Sequence, residues 1–137
     1  MNPESYKRGW RLFRQMAGGR AEGIRRSWRR LAPDFERYVL GFLAGEVWTR
    51  PVLDRRTRSL ITIAALAATG RPQGLELNIR MALNNGVRRE EILETLLHLA
   101  PYIGFPAAWE ALTLAGPVLR GSRPGRSRPR RVVRRRR

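Results

Sequence analysis

Residues 54–70 read DRRTRSLITIAALAATG, and this stretch decides the fold class. Asp54 suits a helix N-cap, because its carboxylate accepts backbone N–H groups of a first turn. Gly70 suits a stop. Between them Leu60, Ile61, Ile63, Ala64, Ala65, Leu66 and Ala67 put apolar side chains on most of the circumference. The pattern predicts a helix over about 55–69 that is covered on nearly every side, either at the centre of the molecule or at a subunit interface. Its apolar run, interrupted by Thr62, is too short to span a bilayer, so no membrane role is expected.

Helices extend outward in both directions. Residues 72–85 predict the next one, stopped by Gly86 after Asn84–Asn85. Residues 88–103 predict another, with Glu90, Glu91 and Glu94 near its positive end and Ile92, Leu93, Leu96, Leu97 and Ala100 along one face. Pro101 is expected to kink or end it, and Pro106 to open a last helix to about residue 119. Upstream, Pro33 opens a helix that must end before Pro51. Tyr6, Trp10, Phe13 and Ala17 recur at helical spacing over 3–17, and Ile24, Trp28 and Leu31 do so in a basic segment. No period-two pattern survives. The expectation is an all-α fold of six to seven helices in packed helical hairpins, one domain over residues 1–119.

Charge divides the 137 residues differently. The net charge is +17, with ten basic and four acidic side chains in 1–37, eight and seven in 38–119, and ten arginines with no acid in 120–137. Lys7 is the single lysine, which looks like compositional bias toward Arg. The segment from 122, SRPGRSRPRRVVRRRR, has almost nothing to bury and is expected to be disordered. Its arginines could neutralise phosphates, so 120–137 is a possible arm for non-specific nucleic-acid contact, or a solvated appendage. Cysteine is absent, which excludes thiol catalysis, disulfides and Cys-type metal sites. His98 is the single histidine, so a His-based metal cluster or triad is not expected either. With no secretory signal, cytoplasm is the simplest compartment.

The segments EVWTRPVLDRRTRSLITIAALAA (46–68), RMALNNGVRREE (80–91) and EILETLLHLAPYIGFPAAWEAL (91–112) together resemble the carboxymuconolactone decarboxylase family, over about residues 33–116. The decarboxylase branch is the closer match, since the CxxC pair of the peroxidase branch is missing. The resemblance implies a small helical bundle assembled into a homo-oligomer, a trimer or hexamer, acting on a small anionic cyclic substrate such as a lactone. It implies no metal and no organic cofactor, because a conjugated ring is its own electron sink.

Residue by residue, Trp48, Arg50 and Pro51 match a family turn, Arg58 and Ser59 a family pair, Arg80 a family arginine, and Tyr102, Gly104 and Pro106 a family corner. On that basis Arg58 and Arg80, with Trp48 and Arg50, are the candidate substrate-binding residues. Arg is the natural fork for a carboxylate. Asn78 stands where the family usually has histidine, and Gly74 where a carboxylate is common. An amide donates and accepts hydrogen bonds but carries no proton to give near neutral pH. Asn78 and Tyr102 are therefore candidates for steadying an oxyanion, and Glu46 or His98 for supplying the proton. Three functional classes stay open: a lyase with a remodelled acid, an inactive binding or scaffold protein, and a nucleic-acid-associated protein.

Overall fold

The computed structural model describes residues 2–122; the segment expected to be a tail lies, from residue 123, outside them. Helix α1 is Pro3–Ala17, and a 3-10 turn, Gly18–Arg20, leads into α2, Ala21–Leu31. Helix α3, Pro33–Tyr38, runs on as a π-helix over Val39–Val47. Then follow α4 (Arg55–Ala68), α5 (Pro72–Asn84), α6 (Arg89–Ile103) and α7 (Phe105–Gly121). No strand occurs among the described residues, and the all-α expectation holds.

Two apolar clusters hold the bundle together. Ile63, Ile79, Ile92, Leu96 and Ala115 join α4, α5, α6 and α7 in the larger one. Leu12, Phe13, Met16 and Leu40 join α1 to the π-segment in the smaller, with Met81 of α5 as their common neighbour. Helix α5 thus faces both clusters, which fastens the N-terminal helices to the rest. The α4–α5 hairpin closes at Gly70 (φ +65°) and the α6–α7 hairpin at Gly104 (φ +96°). Only one residue separates α6 from α7, so the reversal falls on a backbone conformation that glycine adopts without strain.

Three local expectations change. The 33–50 helix loosens after Tyr38, where the Trp48 N–H donates to the Leu43 carbonyl five residues back (3.0 Å). This loosened stretch lies against α1, where Gly9 and Gly45 let the two backbones touch. Helix α6 does not end at Pro101, which falls within its last turn and is exposed. Helix α4 is not central: Ser59, Ile63 and Ala67 are buried, whereas Ile61 is 53% exposed. The expected cover on nearly every side is therefore not found within one chain.

Candidate functional site

One corner of the molecule gathers Trp48, Arg50 and Arg58. Asp54 caps α4, its side chain accepting the Thr57 N–H at 2.7 Å, and this sets the direction of the first turn. Arg58, one turn on, reaches back over the preceding loop. Its Nε donates to the Leu53 carbonyl (3.1 Å) and its Nη2 to the Arg50 carbonyl (3.1 Å). The loop that carries Arg50 and Pro51 is therefore tied to the start of α4 by one guanidinium. Neither Arg50 nor Arg58 pairs with a carboxylate among the described residues. Trp48 anchors the other end of the loop against the Met16–Leu40–Met81 cluster.

Glu46 lies just before Trp48, at the end of the π-segment. It is exposed, and its Oε1 accepts the Ser5 hydroxyl at 2.9 Å. Arg8 supports this contact, donating from Nε to the Gly45 carbonyl (2.8 Å) and from Nη2 to the Ser5 hydroxyl (3.5 Å). Ser5 and Arg8 were not legible from sequence, since they lie about forty positions away from their partners.

The remaining expected residues stand elsewhere. Asn78 is half-buried on α5 and donates from Nδ2 to the Gly74 carbonyl in its own helix (2.8 Å). Arg80 pairs with Glu76 (3.0 Å) and lines a cleft of about 410 Å³ with Gly18, Gly19, Arg20 and Asn84. His98 and Tyr102 stack on the outside of α6, ring centroids 5.4 Å apart, and Tyr102 is 76% exposed. Helices α4 and α6 are joined by the Arg56–Glu91 ion pair (2.7 Å). Counting from Glu91 at ~1.5 Å per residue, His98 and Tyr102 stand roughly 10 and 16 Å further along α6. His98 lines a cleft of about 560 Å³ with Leu60 of α4, Glu91 and Thr95.

Sequence reading also missed a buried acid. Glu36 is 4% exposed, and its Oε1 accepts the Tyr6 hydroxyl and Arg29 Nη2 (3.1 Å). Burial, and then the Glu36 carboxylate, push the Tyr6 hydroxyl above its usual range. The signal was hidden because Glu36 sits in a helical first turn, where an acid is ordinarily read as a dipole partner.

Among the described residues no group of His, Asp or Glu is arranged to hold a metal ion, and no helix is long and apolar enough to cross a membrane.

Two carboxylates, exposed Asp54 and half-buried Glu91, give the chain an acid dependence. The Arg88 N–H and the Arg56 guanidinium hold Glu91 below its ordinary value, and the Thr57 N–H does the same for Asp54. Both groups take up protons more readily unfolded than folded. The stability they contribute is present at neutral pH and is lost as pH falls below the usual carboxylate range, through the lowered folded values. Asp54→Asn combined with Glu91→Gln is therefore expected to flatten the fall of Tm with acid. Asn still caps the helix, so the cap itself is kept. An unchanged slope of Tm against pH would refute this.

Residues 33–116 match the carboxymuconolactone decarboxylase family. The chain is 40% identical over 124 residues to a 4-carboxymuconolactone decarboxylase of Acinetobacter baylyi, covering 88% of this chain and 91% of that one. It is 46% identical over 68 residues to the nitrosuccinic acid decarboxylase npaB of Metarhizium robertsii, covering 50% and 48%. An uncharacterized 15.0 kDa protein of Paracoccus denitrificans is 34% identical over 96 residues, covering 68% and 71%.

Proposed function

Since the chain belongs to the carboxymuconolactone decarboxylase family, we propose that it is a cofactor-independent carbon–carbon lyase that decarboxylates a small anionic cyclic substrate, a lactone or related acid. The observation that carries this reading is the Arg50–Arg58 corner. The Arg58 guanidinium lies there on the Arg50 and Leu53 carbonyls, in the loop that also carries the Arg50 side chain, and neither arginine has a carboxylate partner among the described residues. A substrate carboxylate is the missing counter-charge. The two decarboxylase relatives support the reaction class.

The chemistry asks three things of the site. The bond to the carboxyl carbon breaks and carbon dioxide leaves. Its electron pair runs into the conjugated ring toward the carbonyl oxygen, and Arg50 and Arg58 stabilise that charge. A ring carbon then takes a proton. Glu46, on the same segment as Trp48 and Arg50, is the proton source within one protomer. Asn78, with one Nδ2 hydrogen spent on Gly74, keeps Oδ1 and a second N–H for orienting a ring; it stands outside this corner with Arg80, His98 and Tyr102, and we assign these four to the substrate through a second copy.

The chain acts as a homo-oligomer, a trimer or hexamer. Leu93, Leu97, Tyr102, Phe105 and Trp109 on α6 and α7 are between 41% and 76% exposed, more apolar surface than a monomer leaves bare. Leu97→Asp is expected to shift the mass measured by light scattering toward that of a single chain. An unchanged mass would reject this face as the contact.

A second reading is an inactive scaffold, favoured by the engagement of Asn78 within its own helix. The purified chain is expected to consume 4-carboxymuconolactone and release carbon dioxide without added cofactor, and Asn78→His to raise the rate. If neither protein turns over, the lyase reading fails and the scaffold reading stands.

A further inference from the structure

We propose that the clefts on either side of the Gly18–Gly19 turn form a sequence-independent binding surface for the phosphodiester backbone of a nucleic acid. Arg11, Arg14 and Arg20, which carry it, lie outside the residues that match the family, so the catalytic proposal does not account for them.

The charge is the first argument. Residues 2–31 carry nine basic side chains against two acids, while residues 38–119 are close to balanced. Arg29 and Arg25 have acidic partners in Glu36 and Glu22, but Arg11, Arg14 and Arg20 form no ion pair among the described residues. An unneutralised cluster repels itself unless an anion joins it.

Shape is the second. A cleft of about 870 Å³ is lined by Trp10, Arg11, Arg14, Gln15, Gly18 and Gly19. The second cleft, of about 410 Å³, shares Gly18 and Gly19 and adds Arg20 and Arg80. The two glycines have almost nothing packed on them, so the ridge between the clefts is low and open. Arg14 and Arg25 lie over the Trp10 ring at 5.8 and 4.1 Å, which spreads the guanidiniums along the wall. Arg55 adds to the rim by donating to Gln15 (3.0 Å). Lys7, Arg11 and Arg14 recur along roughly 10 Å of α1, and Arg20 follows on the turn beyond it. That is a track for several phosphates, not a pocket for one.

An unmatched donor at the second cleft is the third: Arg80, which lines it, has a buried Nε without a hydrogen-bond partner among the described residues. The fourth is the exit of the chain. Gly121 and Ser122 line the second cleft, and the sequence beyond them holds nine arginines and no acid. The Arg-rich segment thus starts at the edge of the same surface.

An anionic membrane is the competing partner. Membrane helices present apolar side chains beside their cations. Here Leu12, Phe13 and Met16 of α1 are buried, and the cleft wall is mostly polar, with Trp10 and Ala21 as its apolar members and Glu22, paired with Arg25, as its acid.

The test uses the full chain with a fluorescein-labelled 20-nucleotide single strand of mixed sequence, titrated at several salt concentrations. Wild type is expected to bind, with affinity falling linearly in log salt. Arg11→Ala/Arg14→Ala/Arg20→Ala should lose up to three phosphate contacts at ~0.7 each, lowering the slope by about 2 and the affinity at 0.1 M salt by roughly ten- to a hundredfold. The triple Arg→Lys variant should keep most of the slope, since it keeps the charge. Helix content by circular dichroism confirms that each variant is folded. The proposal is overturned if wild type does not bind at 50 mM salt, or if the Ala triple keeps wild-type affinity and slope, which would assign all binding to 120–137. It is also overturned if the Ala triple loses binding only to vesicles containing phosphatidylserine.

Discussion

Gly9→Ala is expected to lower Tm by 10 °C or more and to leave much of the chain unfolded at 37 °C. A Cβ at residue 9 would be driven into the Leu40 carbonyl oxygen and would stand 2.7 Å from the Gly45 nitrogen. All of these obstacles are backbone, so no side chain can swing away. Helix α1 must separate from the π-segment, and with it the Leu12–Phe13–Leu40 cluster opens. Overpacking of this kind costs at least ~3 kcal/mol, and each kcal/mol is worth roughly 4 °C in a domain of this size. Gly45→Ala, whose Cβ would meet the Ser5 carbonyl, is expected to behave alike. Gly23→Ala is the control. Nothing lies within 4 Å of that position, on α2, and removing a helical glycine should stabilise by about 0.5–1 kcal/mol. A thermal melt of the three variants checks the prediction. Equal effects at Gly9 and Gly23 would contradict the close approach.

Arg58→Ala is expected to reduce kcat/KM for the decarboxylated substrate by a hundredfold or more while leaving the fold intact. The side chain holds the Arg50 and Leu53 carbonyls and also brings charge to the site. Removing it loosens the loop and takes away a donor to the developing oxyanion, a loss worth about two to three powers of ten in rate. Arg58→Lys separates the two roles. A single ammonium keeps the charge but cannot span both carbonyls with fork geometry, so partial recovery is expected. Wild-type turnover in Arg58→Ala would remove this corner from the mechanism. Little change in Tm is expected, because the bonds it loses are exposed.

Much of the fold was legible in local chemistry. Asp54, Pro33, Pro72, Gly70 and Gly104 mark helix ends through rules that act within a few residues, and each does so in the structure. The candidate site was legible only in part. Trp48, Arg50 and Arg58 come together because they lie in eleven consecutive residues wrapped around one loop. Arg80 was grouped with Arg58 on resemblance, yet α5 turns its guanidinium toward Glu76 and Gly18.

Sequence by itself determined the helical class, many of the helix ends, the family, and the concentration of charge in the terminal segments. Those properties depend on neighbours in the chain, where periodicity, capping and composition act. Tertiary structure decided the rest: the π-winding of 39–47 where Gly9 meets Gly45, the burial of Glu36 under Tyr6, the bare outer side of α4, and the meeting of Arg11, Arg14, Arg20 and Arg80 around one glycine turn. Each requires residues tens of positions apart to share one packing arrangement, and no local rule along the chain encodes which surfaces will be pressed together.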